Sequence, residues 1–258
     1  MPLTQKEKGA VRRSIARVLR EHAASPFATL REAGVAAELR AELLSTPPFG
    51  QLVTAGTARH RANSDVSQRY RLRSGSPQTK RVQLEMTLEV SVRRCSMRKV
   101  VDLALFTRSP TLNWAANGPG DVVQQVPLQS VAAAIEIKAS PSLDTDQRGQ
   151  YVNDILWLLA LKKSPENVDG FFVLLDKSSL IYGDWCRSPS HGRQAIRWDQ
   201  RIPQDIAVRN GPFLATKMYG SLGHCGLNIA PRPLAHNRCF VEVWALDSFG
   251  RPNSWAVW

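Results

Sequence analysis

The chain has no run of 18 or more consecutive apolar residues, the length a helix needs to cross the hydrocarbon core of a bilayer. A membrane span is therefore not expected. Cysteine is scarce: Cys95, Cys186, Cys225 and Cys239 are the only four in 258 residues. They lack the dense spacing of a disulfide framework, which points to a reducing compartment. The first residues lack the hydrophobic core of a secretory signal, so a cytoplasmic protein is expected. There is no internal repeat and no strong interdomain linker, so one elaborated α/β domain is the economical expectation. Acidic residues are few, 22 Asp+Glu against 34 Lys+Arg, a net charge of +12. Lysine is scarcer still, since 25 of the 34 basic residues are Arg and 9 are Lys. Arginine suits bidentate phosphate contacts, so the excess favours a polyanionic partner. A genome rich in G and C would enrich arginine as well.

What is present is a foldable balance, 43% hydrophobic and 22% charged, enough for a sizeable core and far from a disordered composition. Residues 5–22 predict a basic amphipathic helix, with Val11, Ile15, Val18 and Leu19 at helical spacing and Arg12, Arg13, Arg17 and Arg20 around them. A second helix is expected at 29–44, with Thr29 as N-cap and Glu32 three residues on. Pro47 and Pro48 end it. Residues 54–80 are polar and read as a loop. Between 81 and 93, apolar and polar residues alternate with period two, which predicts a long strand with one buried face. A turn near 95–97 follows, then a near-continuous apolar run at 100–106, read as an interior strand. Residues 107–127 are rich in Gly, Pro and Asn and read as a loop. A further apolar strand is expected at 131–139, a helix at 144–162 and a short strand at 171–175. The stretch 183–235 is loop-rich, with two final strands around a turn at 247–253. The organisation expected is a basic N-terminal helix at 1–28, a core at 29–177, and a C-terminal elaboration at 178–258 packed on the same domain.

Two interior strands carry charges. Asp102 interrupts the run at 100–106, and Glu136 and Lys138 interrupt the strand at 131–139. A buried carboxylate is costly unless it is paired or binds a metal. Glu136 and Lys138 are two apart, so they share a face of their strand while Ile135 and Ile137 take the other. Two hard oxygen ligands and an ammonium in a basic protein fit metal-assisted phosphodiester hydrolysis, with magnesium neutralising the phosphate and orienting a water. The bland alternative is an ion pair of Lys138 with Asp102 or Glu136 that serves only architecture.

Asp102, a long loop, then Ala134-Ile135-Glu136-Ile137-Lys138 resembles the PD-(D/E)xK nuclease superfamily of restriction-endonuclease-like proteins. The expected order of helix, three strands, helix and strand is similar to that superfamily's core. Gln147 and Tyr151 in Gln-Arg-Gly-Gln-Tyr resemble the QxxxY feature of its RecB-like branch. Val101 stands where a Pro often precedes the Asp, and the upstream His motif of that branch is absent. The resemblance covers about residues 29–177 and implies a mixed sheet flanked by helices with a three-stranded meander; the C-terminal strands are an elaboration outside it. It implies Asp102 and Glu136 as metal ligands with the Ile137 carbonyl, Lys138 assisting the water, and Gln147 and Tyr151 near substrate. Mg2+ is the cofactor expected, with Mn2+ able to replace it. An acidic residue from the upstream helix is expected to join them. Glu38 is the best-placed candidate, with Glu42 and Glu85 as rivals.

Basic residues concentrate near this site, with a net of +8 over 59–99. Arg69, Arg71 and Arg73, interleaved with Tyr70, suit a phosphate backbone, as would a merely solvated loop. Arg93, Arg94, Arg98 and Lys99 flank the turn before Asp102 and are expected to line a cleft. His224, Cys225, His236 and Cys239 make a poor zinc set, because two are adjacent and no CxxC knuckle is present. The function expected is a magnesium-dependent nuclease acting on DNA rather than RNA, of restriction, defence, repair or mobile-element type. The alternative is a catalytically silent module that holds nucleic acid or scaffolds a complex. A homodimer or larger complex is left open.

Overall fold

A computed structural model of the chain describes residues 1–25, 32–54, 56–57, 78–92, 95–118, 121–138, 154–155, 157–175, 231–232, 241–246 and 250–257. Two long helices come first, α1 (Gln5–Ala24) and α2 (Glu32–Ser45). The strands follow as β1 (Leu52–Thr54), β2 (Gly56–Thr57), β3 (Gln78–Lys80), β4 (Val82–Val92), β5 (Cys95–Phe106), β6 (Thr111–Gly118), β7 (Asp121–Gln125), β8 (Val131–Lys138), β9 (Asp169–Leu174), β10 (Pro231–Arg232), β11 (Val241–Leu246) and β12 (Pro252–Val257). Further helical residues lie at 154–155 and 157–163, between β8 and β9.

Seven of these strands form one mixed sheet in the order β10-β12-β11-β9-β8-β5-β4. β4, β5 and β8 are an antiparallel meander, whereas β8, β9 and β11 run parallel. A parallel pair requires a crossover, and the helical residues at 154–163 supply the one from β8 to β9. The three parallel strands are apolar almost throughout, and every residue of β9 and β11 is buried, as strands covered on both faces must be.

Register shows what covers each face. Gly170 of β9 is paired with Val241 of β11 and Ala134 of β8. A Cβ on Gly170 would lie 3.1 Å from Leu158 Cβ, so the 154–163 helical segment packs on that face. Glu242, the neighbour of Val241, points the other way and receives Arg12 of α1 at 2.7 Å. Helix α1 therefore lies on the opposite face. It packs on α2, which covers β4, β5 and β8. The sheet is flanked by helices on both sides, and no described helix is long and apolar enough to cross a membrane.

Helix α1 begins where Thr4 and Glu7 form a capping box, satisfying two of the amides that every helix start leaves free. Val11, Ile15, Val18 and Leu19 are buried, as the periodicity predicts. In α2 the buried stripe is Val35, Ala36, Leu39 and Leu43; the expected N-cap Thr29 lies outside the described residues.

Within the large sheet, α2 is followed by β4, β5, β8, helical residues and β9, while β1 to β3 and the β6–β7 pair interrupt that order. Four local expectations are corrected. The stretch 54–80, expected as a loop, includes strand at 56–57 and at 78–80, and β3 pairs with β1. The turn expected at 95–97 is already strand: Cys95 pairs with Val92 and Met97 with Val90. The apolar run marks only the covered half of β5, and its polar half had read as a turn. Residues 107–127 are not simply a loop, because β6 and β7 pair as an antiparallel hairpin with Gly118 opposite Asp121. Asn117, Gly118 and Asp121, in a stretch whose composition suggested irregular chain, are therefore strand residues. In β4 the alternation continues, but Leu84 is 36% exposed while Leu88 and Val90 are fully buried. β4 ends the sheet, and Glu85 between Leu84 and Met86 adopts a left-handed φ of 50°.

Candidate active site

The carboxyl groups meet where β5 and β8 part. Their pairing is recorded from Phe106↔Val131 to Leu103↔Ile135. Continuing that register by one residue brings Asp102 opposite Glu136. There the ladder gives way to a side chain: the Ile137 amide donates to Asp102 Oδ2 at 2.6 Å. The Asp102 carboxyl also lies within hydrogen-bonding reach of Glu136.

Glu136 is almost fully buried, at 2% exposure. Lys99 of β5 places its ammonium 2.9 Å from Glu136 Oε1. That contact lacks hydrogen-bond alignment, and Oε1 accepts no hydrogen bond among the described residues. Lys99 instead donates to Asp154, at the start of the 154–163 helical segment. Its ammonium also lies 5.8 Å from the centre of the Trp157 ring. Lys138, at the end of β8, donates to Glu32 Oε1 at 2.8 Å and lies 3.3 Å from Asp154 Oδ2. The bland pairing of Lys138 with Asp102 or Glu136 is not the one it makes. The result is a corner with four carboxyl groups, Asp102, Glu136, Asp154 and Glu32, around two ammoniums.

The electrostatics follow from this count. Burial pushes the Glu136 carboxyl up to about 8, helped by the neighbouring charges of Asp154 and Asp102 and opposed by Lys99. Burial raises Asp102 too, against the Ile137 amide and the two lysines. Glu32 is raised by burial as well, despite its bond to Lys138. Burial alone would lower Lys138, but Asp154, Glu32 and Glu136 outweigh it and hold the ammonium above its ordinary value. Lys138 therefore stays charged.

Of the residues singled out in the sequence, Asp102, Glu136, Ile137 and Lys138 come together. Lys99 joins them as an ion-pair partner of Glu136 and Asp154. Arg98 is exposed on β5. The acidic residue that α2 brings to Lys138 is Glu32, whereas Glu38 is exposed further along that helix. Glu42 pairs with Arg17 of α1 at 3.2 Å, and Glu85 is exposed. Gln147, Tyr151, Arg69, Arg71, Arg73, Arg93, Arg94 and the set His224, Cys225, His236 and Cys239 lie outside the described residues.

Asp154 and Glu32 were missed as site residues. Glu32 was read as half of a capping box, a role that hides a functional carboxylate in plain composition. Asp154 carried a signal: it stands seven residues after Gln147 and three after Tyr151, the spacing of one helical face, and it opens an otherwise apolar stretch. No family model, curated protein or solved structure matches the chain.

Among the described residues, no three His, Cys, Asp or Glu side chains converge as a ready-made metal cage. A magnesium site does not require one, because that ion keeps several waters and takes one or two carboxylates. The donor chemistry here fits such an ion on two counts. The carboxyls outnumber the ammoniums, and the buried Glu136 Oε1 has the Lys99 ammonium 2.9 Å away but accepts no aligned hydrogen bond among the described residues.

Proposed function

We propose that the protein is a divalent-metal-dependent nuclease with a restriction-endonuclease-like core, hydrolysing DNA phosphodiester bonds. One observation carries the reading: Asp102 and Glu136 meet in a buried corner beside the charged end of Lys138. Four carboxyls against two ammoniums leave two negative charges uncompensated when all are ionised, in a chain whose net charge is +12. Buried charge of that kind is stable only with a counter-cation or with protons.

Asp102 and Glu136 would hold the ion, with the Ile137 carbonyl beside them. A bound magnesium supplies a neutralised phosphate and an oriented, more acidic water. The chain's own residues do the rest. Glu32 and Asp154 fix the Lys138 ammonium from two sides, so its three donors are aimed without a search through rotamers. Held charged, Lys138 stabilises the negative charge that builds on phosphate oxygen as water adds to phosphorus and the bond to the leaving oxygen breaks. Asp102 also accepts the Ile137 amide on the side of β8 where pairing with β5 stops, while β9 holds the other side, and together they set the direction of Glu136 and Lys138. Exposed Arg98 suits a backbone phosphate near this corner.

The test is an incubation of purified protein with supercoiled, linear and single-stranded DNA and with RNA, in Mn2+ and in EDTA. Metal-dependent cleavage of DNA supports the reading, and preference for RNA would redirect the substrate. The second reading, a silent nucleic-acid-binding module, draws on Lys99 already engaging Glu136. Intact substrates together with no calorimetric signal for metal would favour it.

A further inference from the structure

Lys99, expected to line a cleft, is instead seated against the buried carboxylate. Its ammonium is 2.9 Å from the buried Glu136 Oε1 and bonded to Asp154, while its side chain keeps 24% of its exposure. A cation is therefore already seated against the carboxylate that the metal reading needs. It is held from the other side by an acid that the superfamily resemblance does not assign. Asp154 in turn shares its second oxygen with Lys138, so the two lysines are linked through one carboxylate.

We propose that Lys99 is a built-in counter-cation that competes with the divalent ion for Glu136 and thereby sets the metal affinity of the site. The inference rests on the metal-binding reading above. Coulombic attraction between unit charges at such a distance is substantial even at the effective dielectric of a protein surface. A dication has to overcome that contact before it reaches Glu136 Oε1. Asp154 then keeps the displaced ammonium close by, because its bond to Lys99 does not depend on Glu136. Without nucleic acid the corner is thus held by lysine rather than left as bare carboxylate.

The experiment is a calorimetric titration of Mn2+ into the full chain at about pH 8 without nucleic acid, for wild type and three variants. Lys99→Met and Lys99→Gln remove the charge, and Lys99→Arg retains it. Tighter Mn2+ binding by about tenfold in both neutral variants, with Lys99→Arg near wild type, supports the proposal. Unchanged or weaker affinity in the neutral variants, with wild type still binding Mn2+, overturns it and leaves the nuclease reading standing. Absence of Mn2+ binding in every protein overturns both. Two neutral variants, each checked by thermal melting, keep the outcome readable if one fails to fold.

Discussion

Two of the buried acid–base clusters in this sheet and its helices are built to opposite ends. In the first, Glu7 of α1 meets the guanidinium of Arg81 at 2.8 Å, with both side chains at 4% exposure or less. Every charge there is answered. Glu7 accepts from the Thr4 amide and hydroxyl, and Arg81 also reaches the carbonyls of Phe106 and Pro48 and covers the Phe49 ring. Burial would raise the Glu7 carboxyl, but the Thr4 and Arg81 hydrogen bonds overcome it and bring it down to about 2. In the second cluster the acids outnumber the bases, Glu136 Oε1 has an ammonium beside it but no aligned hydrogen bond, and its carboxyl is pushed up to about 8. The same residue types therefore close one region and leave the other poised. What separates them is whether hydrogen bonds and counter-charges suffice to offset desolvation.

The largest expected effect lies in the poised cluster. Lys138→Ala should reduce metal-dependent cleavage by about a thousandfold, the scale of losing a preorganised electrostatic contact. Its melting temperature should change little, as read by circular dichroism. A collapse in stability with activity per folded molecule preserved would make that corner structural and erase the contrast. The next effect lies in the closed cluster. Glu7→Ala leaves Arg81 buried without its partner and should cost about 3 kcal/mol in urea unfolding, with metal affinity unchanged.

Stability against pH separates the regions by sign. The folded-state value for Glu7 lies below its ordinary 4.5, so its contribution is present above that pH and is lost as pH falls through 4.5 toward 2. The folded-state value for Glu136 lies above its ordinary 4.5. The folded protein there binds the extra proton, and metal-free stability should fall as pH rises from 4.5 to 8. Glu136→Gln should flatten the second slope and leave the first. Chemical denaturation across pH 3 to 9 would read both, and a wild type that gains stability between pH 5 and 8 would contradict the assignment. The smallest effect concerns how Asp154 is delivered. Gly170→Ala brings a methyl group to 3.1 Å from Leu158 Cβ and Val241 Cγ2, and should destabilise by about 1 kcal/mol. Because it presses on the helical segment that carries Asp154, cleavage should weaken more than folding.

How much of this was legible in the sequence differs between the clusters. Asp102, Glu136 and Lys138 stood out because a charge inside an apolar strand contradicts its own surroundings, and contradiction is visible one residue at a time. The period-two run of β4 and the apolar runs of β5, β8 and β9 marked the strands, whereas the meander and mixed sheet were legible only through the resemblance. Glu32 and Asp154 were not legible as site residues. Their environment is made by chain more than a hundred residues away for Glu32 and by Lys138 across the crossover for Asp154. Arg81 shows the same limit: it was read as a basic residue on the polar side of the 81–93 alternation, yet it is buried at 2% exposure beside an acid 74 positions earlier. The β6–β7 hairpin was hidden because its turn residues outweighed two short strands that carry little hydrophobic pattern.

The central claim is that the unanswered charges around Glu136 exist to hold a metal that cuts nucleic acid. It is tested most directly by supercoiled plasmid incubated with wild type and with Asp102→Asn, in Mn2+ and in EDTA, with nicked and linear products measured over time. The account predicts nicking by wild type in Mn2+ alone, and none by Asp102→Asn although it melts like wild type. Equal nicking by both proteins, or plasmid left intact by wild type in Mn2+, would contradict it.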